Sequence, residues 1–127
     1  AKALTKIFPD LADVIGGCGI RVPVANGSLS DITINVEKHA SIEKVNSIFK
    51  NAANTHLKGI LEYTEDPIVS IDIVGNHHSC ILDSLMTSVI GNMIKIVGWY
   101  DNETGYSSRI LDLICNLSDK NALLSNK

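Results

Sequence analysis

The chain has 127 residues, 45% hydrophobic and 20% charged, with 11 Lys and Arg against 14 Asp and Glu and a formal net charge of -3. That length favours one domain with one core, and the composition excludes a disordered segment or a fibre. Basic residues scattered along a mildly acidic chain argue against a nucleic-acid partner, because neutralising phosphates needs clustered Lys and Arg.

Taken in chain order, "AKALTKIF" opens directly with helix formers and predicts a first helix over Lys2 to Phe8. Pro9 ends it by disfavouring helical geometry before itself, and Gly16 and Gly17 punctuate the next stretch. The lack of an initiator Met or a capping residue is the pattern expected of a segment of a longer polypeptide, or of a trimmed or processed chain. "GIRVPV" reads as a short strand. After Asn26-Gly27, "ITINVE" alternates Ile32, Ile34 and Val36 with polar residues, the period of a half-buried strand. Ser41 is the expected N-cap of a helix carrying Ile42, Val45, Ile48, Phe49 and Ala52 at helical spacing.

"ILEYT" reads as a strand, and "IVSIDIV" as another, with Val69, Ile71 and Ile73 on one side. Gly91-Asn92, between the apolar runs of "TSVIGNMIKIVGWY", predicts a two-residue hairpin. The last helix carries Ile110, Leu113, Ile114 and Leu117 on one stripe, and the polar tail from Ser118 is expected to fray. Five to seven strands and three helices without regular strand-helix alternation predict an α+β fold, a mixed, mainly antiparallel sheet with helices packed on one face. No apolar run approaches the roughly 18 residues of a bilayer span. No membrane partner is expected, and the predicted location is the cytoplasm.

The three cysteines, Cys18, Cys80 and Cys115, are odd in number and widely spaced, which predicts reduced, buried thiols and no disulfide framework. "GGCG" at 16–19 lacks the preceding strand and following helix of a nucleotide-binding loop. "NHHSC" at 76–80 raises metal binding, but neighbouring strand side chains point to opposite faces and no second ligand cluster completes a site, so no metal is expected. A Cys80–His pair is conceivable, yet a thiol in an apolar stretch is normally inert.

Arg21 is the lone charge in "GCGIRVPVAN" and must find an anionic or carbonyl partner. An ion pair and an anion-binding role, suited to phosphate by the guanidinium's donor fork, both fit. Asn102, at a strand end just before a helix, fits a helix cap by position. Its side-chain amide can also read an amide on a ligand, but from spacing alone the cap is the expected role.

"WYDNETGYSSRILDL" at 99–113 resembles the C-terminal signature of the glyceraldehyde-3-phosphate dehydrogenase family, whose members commonly read W-Y-D-N-E-x-G-Y-S-x-R. "AKAL", "IRVPVAN", "LKGILEYTEDPIVSIDI" and "HHSCILD" occur in the family's order and approximate spacing, so the resemblance covers nearly the whole chain. It implies oxidative phosphorylation of glyceraldehyde 3-phosphate with inorganic phosphate and NAD, in a homotetramer. Arg21 then matches the arginine that helps hold the substrate's phosphate. Asn102 matches the amide that contacts the nicotinamide carboxamide, and Tyr106 a tyrosine close to that ring.

The family's nucleophilic Cys segment, its catalytic His and its dinucleotide-binding domain have no match here. The resemblance therefore implies that residues 1–127 are one domain, a fragment of the C-terminal catalytic domain, inactive alone. Two departures stand out. Gly27 replaces the Val of "ANVS" and is expected to loosen that strand entrance, and Thr104 replaces a bulky aromatic. The rival readings are erythrose-4-phosphate dehydrogenase, which shares much of this signature, and a noncatalytic self-association module.

Overall fold

A computed structural model describes the backbone of residues 4–125 and the side chains of residues 4–118. A short helix, α1 (Leu4–Ile7), and a 3-10 turn at Pro9–Leu11 come first. They lead to β1 (Ser28–Asn35), α2 (Ile42–Asn54), β2 (Leu61–Thr64), β3 (Cys80–Ile90), β4 (Met93–Tyr100) and α3 (Asn102–Ser125). The predicted first helix starts outside the described residues at Lys2, and the polar tail from Ser118, where fraying was expected, has helical backbone as far as Ser125.

The four strands form one sheet in the order β1-β4-β3-β2. β4 pairs antiparallel with both β1 and β3, and β2 pairs parallel with β3. The α+β fold with a mixed, mainly antiparallel sheet is the one predicted. The β3–β4 hairpin turns at Gly91-Asn92, where Gly91 has φ 60° and Asn92 stays at negative φ. Gly in the first loop position is what a type II′ turn requires.

Two predicted strands are absent. "GIRVPV" has no pairing partner; Pro23 lacks an N–H, and Val24 N–H turns back to the Val22 carbonyl at 2.9 Å. Ile20, Val22 and Val24 remain exposed. "IVSIDIV" lies within the connection between β2 and β3, and parallel neighbours need a crossover of a dozen or more residues. Its backbone is spent on turns: Val69 N–H donates to the Asp72 carboxylate at 2.8 Å, the local bonding that competes with a ladder. Ile73 alone among its apolar residues is buried.

The core lies between α2 and one sheet face, with Val45 and Ala52 against Leu61, Leu82, Ile94 and Ile96. Ser41 caps α2 as predicted, its hydroxyl accepting from Lys44 N–H at 3.2 Å. Lys50, on α2, reaches Glu65 beyond β2 at 2.7 Å. No described helix is long and apolar enough to cross a membrane.

Gly27 corrects another expectation. It has φ +91°, and a Cβ there would stand 2.8 Å from Ile73 Cδ1 and 3.3 Å from the Ser70 carbonyl. The entrance to β1 is wedged against the β2–β3 crossover, not loosened.

Candidate functional site: the junction of β4 and α3

The sequence changes from strand to helix between Tyr100 and Asn102, and one buried side chain manages the change. Asp101 is 2% exposed. Its Oδ1 accepts the N–H groups of Glu103 at 3.0 Å and Thr104 at 2.9 Å. Its carbonyl accepts Gly105 N–H at 3.1 Å, the first helical bond of α3. Those amides are the orphan donors of a helix start, and an Asp facing the positive end of the helix is favoured electrostatically.

The second oxygen faces away from the helix. Oδ2 accepts Asn26 Nδ2–H at 3.0 Å and Gly75 N–H at 2.9 Å. The bonds from the Thr104 and Gly75 amides, over the opposing cost of burial, hold this carboxyl at a pKa of about 2. One side chain thus ties together the helix start, the end of the segment carrying Arg21, and the β2–β3 crossover.

The cap is therefore Asp101, and not Asn102 as position suggested. Asn102 is exposed, and no cap bond engages its amide. Tyr106, one helical turn on, is 70% exposed. Side chains four apart lie on the same helix face, so amide and phenol share an open surface. Arg21 is exposed and has no ion pair among the described residues, which leaves the structural ion-pair reading without a partner.

The 77–79 segment lies under the start of α3. A Cβ on Gly105 would stand 3.0 Å from the His78 carbonyl, and Arg109 donates to Ser79 Oγ at 3.0 Å. His77 Nδ1 lies 3.2 Å from Ser108 Oγ, and His78 Nδ1 3.0 Å from the Glu62 carboxylate. The two histidines serve separate neighbours, and no group of three or more His, Cys, Asp or Glu able to hold a metal occurs among the described residues.

The cysteines depart from expectation. Cys18 and Cys115 are exposed and only Cys80 is partly buried, all three being free. Burial pushes the Cys80 thiol up, which disfavours the nucleophilic thiolate.

Residues 1–102 match the sequence profile of the glyceraldehyde 3-phosphate dehydrogenase C-terminal domain. The chain belongs to the glyceraldehyde-3-phosphate dehydrogenase family. It is 50% identical over 114 residues to glyceraldehyde-3-phosphate dehydrogenase of Mycobacterium avium, covering 90% of this chain and 34% of the relative. It is 47% identical over 121 residues to glyceraldehyde-3-phosphate dehydrogenase 1 of Bacillus cereus, covering 94% and 36%. The chain thus spans about a third of the length of these curated relatives.

Sequence reasoning placed Asp101 in the polar junction and Asn26 in a turn, but gave them and Gly75 no shared role. Asp101 carried a readable signal, as an acidic residue directly after a strand and before a helix, but Asn102 competed for the same role. Nothing local marked the long-range bonds to Asn26 and Gly75.

Proposed function

We propose that this chain is the C-terminal part of an NAD-dependent phosphorylating dehydrogenase of glyceraldehyde 3-phosphate, with Arg21 helping to hold the substrate's phosphate and Asn102 and Tyr106 facing the nicotinamide. The observation that carries this reading is the division of labour at the junction. Asp101 takes the capping role, which leaves the Asn102 amide open beside Tyr106. One free donor and one free acceptor suit a carboxamide, so the residues fit the cofactor's polar group. NAD supplies the hydride acceptor. Asn102 orients the ring, Tyr106 walls its surroundings, and Arg21 presents an always-charged donor fork to a phosphate.

None of the three cysteines takes the nucleophile's part in this reading. In this reading the nucleophilic Cys, its His partner and the dinucleotide-binding half lie outside these 127 residues. The complete protein is then a glycolytic, cytoplasmic homotetramer. Mixing the 127-residue chain, or an extended chain carrying the upstream portion, with NAD, phosphate and glyceraldehyde 3-phosphate tests this at the reduced-nicotinamide absorbance. Turnover by the extended chain alone is expected. Turnover by the short chain would make one of its own cysteines the nucleophile and overturn the reading.

Erythrose 4-phosphate as substrate would use the same phosphate-holding and nicotinamide-facing groups, and comparing the two aldehydes in the extended chain decides between them. Self-association is favoured by a separate observation: Ile110, Leu113, Ile114 and Leu117 are 41–58% exposed along α3. An uncovered apolar stripe of this kind drives association. A strict monomer in size-exclusion chromatography at high concentration would count against it.

A further inference from the structure

The geometry points to Asp101 as a positioning residue that couples substrate and cofactor sites, its carboxylate holding the Arg21 segment and the Asn102 helix start in one frame. This rests on the roles proposed above for Arg21 and Asn102. Residues 16–27 form neither helix nor strand. Among the described residues, the hydrogen bond that joins this stretch to another part of the fold is Asn26 Nδ2–H to Asp101 Oδ2. Arg21 is five residues upstream of Asn26, so it lies no further than about 18 Å from that anchor even at full extension.

Asn102 is covalently next to Asp101, and its orientation is set by the first turn of α3, which Oδ1 organises. The two oxygens therefore have separate tasks, one for each ligand-facing segment. Gly75 completes the frame by donating to the same oxygen as Asn26. A helix cap alone does not need this, since Ser, Thr or Asn caps as well. The second oxygen adds an acceptor for two outside donors, which only a carboxylate supplies while it caps.

The test uses steady-state kinetics of the natural-length polypeptide. Asp101→Asn keeps a cap oxygen but turns an NH2 group toward the Asn26 and Gly75 donors. It is expected to raise KM for both the phosphorylated aldehyde and NAD about tenfold, the scale of a lost hydrogen bond to a charged group. Asn26→Ala cuts the tie to the Arg21 segment, together with the Asn26 Oδ1 bond from Gly27 N–H at 2.6 Å, and leaves the Oδ1 cap of α3 in place, so it should raise KM for the aldehyde and leave KM for NAD unchanged. The exchange N26D/D101N restores a donor–acceptor pair between the two positions and should recover most of the aldehyde KM.

A fall in melting temperature with both KM values unchanged in Asp101→Asn and Asn26→Ala would overturn the proposal, as would an exchange variant that regains stability without regaining KM. Arg21→Gln and Asn102→Ala are measured alongside. If they leave KM for aldehyde and NAD unmoved, the underlying site assignment fails and the proposal with it. If they raise KM while the Asp101 and Asn26 variants do not, only the positioning role fails. Should Asp101→Asn not fold, the KM split expected of Asn26→Ala decides.

Discussion

Trp99 donates its indole N–H to the Asp83 carboxylate at 3.1 Å across the β3–β4 pair. Asp83 stands opposite Val97, which makes Trp99 its diagonal neighbour on the same sheet face. The other Asp83 oxygen accepts Leu85 N–H at 3.2 Å, where the register with β4 shifts. Asp83→Ala strands both donors and should lower stability by about 1–3 kcal/mol. Trp99 is the one tryptophan, so its fluorescence in a urea titration gives the midpoint directly. An unchanged midpoint would show that the pair is energetically neutral.

The Asp101 carboxyl, held at about 2 against an ordinary value of 3.8, makes acid stability a second test. Its folded pKa is depressed, so its contribution is present above about pH 4 and is lost as pH falls toward 2. Asp101→Asn should remove that part of the slope. Circular dichroism melts across this window check it, and parallel profiles for the two proteins would contradict the assignment.

Gly27→Val should destabilise the fold. A β-branched residue at φ +91° is an outlier, and its Cβ would press on buried Ile73. Overpacking of this kind costs about 1–3 kcal/mol. The measurement is the shift in thermal midpoint, and equal or higher stability would mean that the β1 entrance relaxes freely.

An aromatic disulfide reagent at neutral pH should modify Cys18 and Cys115 quickly and Cys80 slowly, in line with exposure and the raised Cys80 thiol. Peptide mapping of the labelled chain separates the three sites. Equal rates would indicate that the sheet opens readily at β3.

Local chemistry was legible in the sequence. Ser41 before an amphipathic run, Gly91-Asn92 between apolar strands, and the Ile32–Ile34 alternation each carry their own cause within a few residues, although β1 leaves both isoleucines exposed and not half-buried as the alternation predicted. Strand formation in "GIRVPV" and "IVSIDIV" depended on a distant partner, and no local pattern could supply one. The first half of β3 was missed because Ile81, Leu82, Asp83 and Ser84 are buried in succession, so no alternation marks it as a strand. At the candidate site, Arg21 stood out as a lone charge in an apolar stretch and Asn102 by its place between strand and helix, whereas Tyr106 was read from the family signature alone. The carboxylate that binds their segments together works through contacts 75 and 26 positions apart.

The sheet order also sets a timetable for a chain made from its N-terminus. Ile34 pairs with Ile94, so β1 is synthesised well before its partner exists. At about 5–20 residues per second, this edge strand waits for several seconds with Ile32 and Ile34 uncovered. Even in the finished sheet those two isoleucines are 45% and 42% exposed. During the wait, α2 can form from its own cap and apolar face, but the ladder cannot close until the ribosome has passed β4. The interval before that closure is when the nascent chain is most open to aggregation and to capture by a chaperone.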